Sequence, residues 1–446
     1  MIEAKSAAGN VNAVANSKQV ARYWHSYRQV LVTTYREFLL VTANSAGEQT
    51  TAESFSLAGT EAEFWQAVHQ PQALAKEKGE QLVEYLKRVF LQSAQIAMPR
   101  DVANLLASYA RDARRQVESV GAEKLTGLRR VFQEALGLTS EDERGEHLFR
   151  SSLVQTLFYG IFSAWVLWSR RNLPSTKRRF EWRTANWDLK IPVLRKLFSE
   201  VAEPGHLNES GLVEILDWAG DTLNRVDRPA FFRTFQETDA VQYFYEPFLE
   251  AFDPDLRKQL GVWYTPREIV QYMVARVDRT LREKLGLPDG LADGRVVVLD
   301  PCCGTGAFLV EVLHRIVQTL REKGEEALLA HEIKRAAMER IFGFELLTAP
   351  FVVAHLQIGA FIQQLGGDFA KDERAGIYLT NALTGWEPLS KPKTFLFPEF
   401  KEESDAADHV KRDAQILVIL GNPPYNGFAG IAIGEERRLT TAYRDP

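Results

Sequence analysis

Four short apolar runs punctuate the last third of the chain, at positions 295–300, 340–345, 377–381 and 416–421. Each has the length of a buried strand and ends at an acidic residue, a glycine or an asparagine. After the first run, Phe308, Leu309, Val312, Leu313 and Ile316 recur at helical spacing, so the pattern predicts strands alternating with crossover helices. From about 59 to 250 the helical period dominates. Leu82, Tyr85, Leu86, Val89 and Phe90 show it, as do Leu105, Leu106 and Tyr109, and later Leu212, Ile215, Leu216 and Ala219. No repeat of fixed length emerges. The most apolar window, 153–168, contains Gln155, Thr156 and Ser163 and is bounded by Arg170 and Arg171, which predicts a buried helix and no membrane span. At the amino end, a short strand ending in Glu-X-Lys leads through a small-residue loop to a helix carrying Gln19 and Tyr23. Positions 30–40 then alternate as strand, tight turn, strand.

Composition changes this picture little. A chain of 446 residues holds two or three domains, and its net charge of −5 does not advertise a polyanion partner. Contact with nucleic acid would have to come from local patches. Two basic clusters qualify: Arg111, Arg114, Arg115, Arg129 and Arg130, and then Arg170, Arg171, Lys177, Arg178 and Arg179, the second interleaved with Phe180, Trp182 and Trp187. Solvated faces produce such clusters as well. The two cysteines, Cys302 and Cys303, are adjacent and give neither a normal structural disulfide nor zinc spacing, which suits a reducing cytoplasm.

Chemistry concentrates at the ends of two of the apolar runs. The run 416–421 breaks into Asn422-Pro423-Pro424-Tyr425. Two prolines fix φ and remove two donors, leaving the Asn422 amide oxygen and a proline carbonyl as acceptors beside an aromatic face. A pair of acceptors suits a planar amino group, because holding both N–H bonds draws the nitrogen toward tetrahedral geometry and frees its lone pair. The run 295–300 ends in Asp300, followed by Pro301-Cys302-Cys303-Gly304-Thr305-Gly306 and a helix. Glycines at such a turn let a ligand approach the backbone. The two motifs, in this order, resemble the gamma-type DNA adenine-N6 methyltransferases of fused restriction-modification enzymes, of the type IIG and type ISP kind. In that family the loop usually reads Asp-Pro-X-Cys-Gly-Ser/Thr-Gly, so Cys302 fills a variable place.

The resemblance implies S-adenosyl-L-methionine as methyl donor, double-stranded DNA with a flipped adenine as substrate, and Asn422, Pro423, Pro424 and Tyr425 as the catalytic set. Donor-binding residues carried over by motif are Tyr264, Thr265 and Pro266, then Asp300, Cys302, Gly304 and Gly306, and Glu345 at the end of the second run. Thr265 reads as an N-cap with Pro266 in the first helical turn, where free N–H groups suit a carboxylate. Glu345 is placed to accept ribose hydroxyls, and Asn381 to meet the donor's adenine edge, although a turn asparagine reads the same. Phe428 is expected to pack on the donor or the target base.

The start of the chain resembles the second half of a PD-(D/E)XK nuclease core. Glu3 would hold Mg²⁺, Lys5 would assist the attacking water, and Gln19 and Tyr23 match the family's Gln-X-X-X-Tyr helix. Its usual aspartate has no place here, so Mg²⁺ is expected only if another segment completes this portion. The expected organisation is therefore a partial nuclease-like segment (1–58), an all-helical coupling domain (59–255) and a doubly wound, Rossmann-like α/β methyltransferase domain (256–446). That last domain is expected to be truncated after Asn-Pro-Pro-Tyr, with strand 416–421 as an open edge. A missing target-recognition segment or partner subunit would follow. Two other readings share the motifs: a protein glutamine-N5 methyltransferase, and a non-catalytic fragment or specificity subunit of a restriction enzyme.

Overall fold

The computed structural model describes residues 1–43, 48–91, 96–136, 143–172, 178–235, 244–253, 265–370, 373–385 and 395–423. The chain divides into two compact units, Met1–Ile96 and Ala97–Pro446.

In the first unit, β1 (Ile2–Ala4), β2 (Val30–Thr33), β3 (Glu37–Ala43) and β4 (Gln49–Ser56) form one sheet in that order. β1 pairs parallel with β2, and the remaining pairs are antiparallel. A parallel pair requires a crossover. It is supplied by helices Val11–Ala15 and Lys18–Tyr27, started by the side chains of Asn10 and Ser17. Tyr35, at φ 65°, makes the tight turn between β2 and β3. Strand alternation sends Val30, Val32, Leu39 and Val41 to one face with Val11, Val20 and Trp24. Leu31 and Leu40 go to the other face, where Tyr85 and Val89 cover them. The unit therefore does not end at residue 58 as expected. Helices Glu61–Val68 and Pro71–Leu91 belong to it, because without Tyr85 and Val89 one face of the sheet would lie bare.

The second unit holds both the helical stretch and a parallel sheet, where the sequence placed a boundary at 255/256. Its core helix is Glu143–Arg171, buried on all sides along 148–166. It is long and apolar enough to cross a membrane by length and composition, yet 89% of its most apolar window lies inside the protein. Tyr159, Phe162 and Trp165 pack there against Phe231, Phe235, Phe244 and Phe248.

Members of both basic clusters are taken up in structural pairs. Arg114 bonds Asp253 at 2.8 Å, Arg115 bonds Asp112 at 3.3 Å, and Arg129 pairs with Glu146. Arg171 pairs with Asp188, and Arg179 with Asp221 at 2.6 Å. Phe180 and Trp182 are core residues, while Trp187 is 83% exposed. Lys177 lies outside the described residues.

The sheet of this unit comprises β5 (Val298–Asp300), β6 (Ile341–Glu345), β7 (Ile377–Leu379) and β8 (Val418–Ile419). All are parallel, in the order β7-β6-β5-β8. Helix Pro398–Asp413 covers one face through Val410, against Leu299, Phe342 and Phe344. Helix Ala307–Glu322 lies on the other, with Leu309 close against Gly343. From β5 the chain steps outward to β6 and β7, then returns to place β8 on the opposite side of β5. That reversal opens a crevice at the carboxyl ends of β5 and β8, where open α/β sheets bind ligands. Helix Arg267–Lys284 is fixed nearby by Asp278, fully buried between Arg282 and Arg315.

Candidate active site at the carboxyl ends of β5 and β8

Three separate stretches meet in the crevice. The first is the loop after β5, in which Gly304 (φ 55°) and Gly306 (φ 89°) adopt the left-handed region that favours glycine. Cys302 N–H donates to Asp300 Oδ1 at 3.0 Å, and Cys303 N–H donates to Phe344 O at 2.9 Å. The far end of the loop is tied down by Gln357, whose Nε2 donates to Thr305 O at 2.9 Å. A side chain at Gly306 would approach Ala354 to 3.2 Å, so the helix after β6 also packs closely on this loop.

The second stretch is the end of β6. Glu345 Oε2 accepts from Gly304 N–H at 2.9 Å, while Oε1 accepts from Leu346 and Leu347 N–H at 2.8 Å each. These bonds clamp the acid against the loop. Burial nevertheless pushes its carboxyl up to about 7, the three backbone bonds pulling the other way. Asp300 behaves alike: burial lifts it to about 7, the Cys302 bond opposes, and the neighbouring Glu345 adds to the rise. Asp300 Oδ2 is buried without a hydrogen-bond partner among the described residues. An orphaned carboxyl oxygen beside a second buried acid marks a place for a polar ligand. Cys302 is pushed up to about 12, first by burial and then by the same two acids, so it offers no thiolate.

The third stretch follows β8. Leu420 N–H donates to Leu299 O at 3.1 Å, continuing the pairing with β5. At Gly421 a Cβ would stand 2.4 Å from Asp300 Oδ1, so only glycine lets the two strands' ends approach this closely. Asn422, next in the chain, donates from Nδ2 to Thr265 Oγ1 at 3.1 Å. The geometry thus brings Asp300, Gly304, Gly306, Glu345, Asn422 and Thr265 to one crevice. Pro423 follows at the surface. Tyr264, Pro424, Tyr425 and Phe428 lie outside the described residues.

One expected role changes. Pro266, not Thr265, occupies the cap of helix Arg267–Lys284, and no side chain caps it. Proline has no side-chain acceptor to offer the first turn, and the Thr265 hydroxyl is bonded to Asn422 instead. Asn381 closes its own turn, its Oδ1 accepting from Leu383 N–H at 2.9 Å. Two residues of the site were not singled out from the sequence, Gly421 and Gln357. Gly421 carried a signal, as the residue immediately before Asn422. Gln357 carried none, because its role depends on a loop 52 residues upstream.

In the first unit, Glu3, Lys5, Gln19 and Tyr23 do come together. Lys5 Nζ lies 2.8 Å from Glu3 Oε1, and Gln19 Nε2 bridges Glu3 Oε2 and Tyr23 Oη at 3.1 Å each. Among the described residues no group of three His, Cys, Asp or Glu side chains gathers there or elsewhere.

Residues 236–442 match the family model described as N-6 DNA Methylase. Over 205 residues the chain is 24% identical to the Type I restriction enzyme EcoEI methylase subunit of Escherichia coli, a match covering 46% of this chain and 30% of that protein. Among solved structures it is similar to DrdV in a DrdV-DNA complex, with a TM-score of 0.45 and 20% identity over 96% of this chain and 36% of that one. It is also similar to the ATP-dependent Type ISP restriction-modification enzyme LlaBIII bound to DNA, with a TM-score of 0.47 and 22% identity over 74% of this chain and 20% of the other. The chain spans less than a third of the curated relative's length.

Proposed function

We propose, on the premise that residues 236–442 belong to the N-6 DNA Methylase family, that this chain carries an adenine-N6 DNA methyltransferase of a restriction-modification system. The observation that carries the reading is the crevice itself. The ends of β5 and β6, which bring Asp300, Glu345 and the left-handed glycines together, abut the loop bearing Asn422.

S-adenosyl-L-methionine fits the donor side, and supplies an electrophilic methyl group on a sulfonium when bound. Asp300, through its unpartnered Oδ2, and Glu345, through lone pairs its three backbone donors leave free, would hold its cationic and hydroxyl groups. Gly304 and Gly306 would let it lie against the backbone, with Cys302 beside them. The start of helix Arg267–Lys284, following Tyr264, Thr265 and Pro266, would receive its carboxylate on backbone N–H groups, leaving the Thr265 hydroxyl to Asn422. Asn381 would border its adenine. On the acceptor side, Asn422 Oδ1 and the Pro423 carbonyl would accept the two N–H bonds of a flipped adenine, with Pro424 stiffening the loop and Tyr425 stacking on the ring. Unstacking an adenine from the duplex costs a few kcal/mol, and stacking on an aromatic returns about 1–3. These acceptors prepare the amine by geometry, and the proton shed by the methylated nitrogen would pass to solvent. In the first unit, Glu3 would hold Mg²⁺, with Lys5, Gln19 and Tyr23 around it, only where another segment completes the nuclease-like portion.

Incubating the protein with tritiated donor and either duplex DNA or a protein carrying glutamine acceptors tests the assignment. Label should appear in DNA as N6-methyladenine, and Asn422→Ala should abolish it while leaving donor affinity nearly intact. Methylcytosine, or label only in protein, would sink the reading.

A further inference from the structure

We propose that Thr265 is a positioning residue for the acceptor amide, orienting Asn422 so that its oxygen faces the incoming amine. The proposal deepens the adenine-N6 reading above and rests on it for the identity of that amine.

An asparagine amide has two ends of nearly equal shape and opposite hydrogen-bonding sense. With Oδ1 toward an adenine amine it accepts; turned over, it sets one NH₂ against another. Something must occupy the nitrogen end. The Thr265 hydroxyl does so, at 3.1 Å from Asn422 Nδ2 and from a point 157 residues earlier in the chain.

Its freedom for this task follows from local structure. Threonines ahead of helices ordinarily spend their hydroxyl on the helix N-terminus, but here Pro266 stands at the cap and no side chain bonds the first turn. The threonine is also held in place. Pro266 has φ −53°, and the helix it precedes is anchored through Asp278 to Arg315 of the helix that follows the donor loop.

The test uses the full chain labelled with ¹⁵N-asparagine. The Asn422 side-chain amide signal is identified by its loss in Asn422→Ala. It should shift in Thr265→Val and return near its original place in Thr265→Ser. In transfer assays Thr265→Val should lower kcat about tenfold, the loss of one hydrogen bond to the reacting arrangement, with KM for the donor within about twofold. Thr265→Ser should recover most of the rate. An Asn422 signal indifferent to Thr265→Val overturns the proposal. So does a donor KM that rises in step with the lost rate, which would make the hydroxyl a donor contact, or a serine variant as poor as the valine. If the amide shifts as expected but the unsubstituted protein places no label on adenine, the Thr265–Asn422 link stands and the adenine reading falls.

Discussion

Asp300 and Glu345 hold their protons to about pH 7, chiefly because they are buried. In the unfolded chain they would ionise near 3.8 and 4.5. Between those values and 7 the native state binds more protons, so its stability should fall as pH rises through that window. Thermal melts from pH 5 to 8 should show the decline, and Asp300→Asn should flatten it. Donor binding should run the opposite way, strengthening from pH 6 to 8 as the acids ionise and releasing protons. Calorimetry at pH 6.5 in two buffers of different ionisation heat would reveal that release, and identical heats would refute it. Glu345→Ala should weaken donor binding by about 1.5–3 kcal/mol, the range for bonds to a charged group, and an unchanged affinity would remove Glu345 from the site. At this scale the sequence was legible wherever a residue sits in a tight motif, as Asp300, Gly304 and Asn422 do. It was not legible where the partner is remote. Nothing near Thr265 announces Asn422, and nothing near Asn381 decides between a ligand contact and the turn bond to Leu383 that the structure holds.

At the scale of elements, the parallel sheet was readable because each strand is a short apolar run that ends at a turn residue. β5, β6, β7 and β8 all fall within the expected runs, although each is shorter than its run. Strand order was less open to pattern reading, since it depends on which edges meet. The closeness of β5 and β8 has a measurable signature at Gly421. A methyl group there would meet Asp300 Oδ1 at 2.4 Å. Gly421→Ala should therefore displace the carboxylate, cost about 1–3 kcal/mol of stability as overpacking does, and weaken donor binding along with it. Denaturant unfolding and calorimetry on the same variant would check both, and a variant matching the parent in each would mean the strand ends part without effect.

For the whole molecule, the two units differ in how their extent could be foreseen. Composition does not change at residue 58, and only the packing of Tyr85 and Val89 on Leu31 and Leu40 shows that the first unit runs to 96. The same helix brings Arg88 to Glu53 on β4, both nearly fully buried and 2.6 Å apart. Breaking such a pair from one side typically costs about 3–5 kcal/mol. Arg88→Met should lower the melting temperature of the first unit while the second unit's transition stays in place. A single shift of both would show that they unfold together. The crevice in the second unit has a consequence of another kind, in time. Asp300 leaves the ribosome more than a hundred residues before Gly421 and Asn422, an interval on the order of ten seconds at ordinary rates of synthesis. Through that interval β5 lacks its neighbour on one side, and no amide stands opposite the loop that follows β5. A ribosome stalled between the two strands would hold a product in which the loop after β5 stands without Asn422, with half of the crevice still to be made.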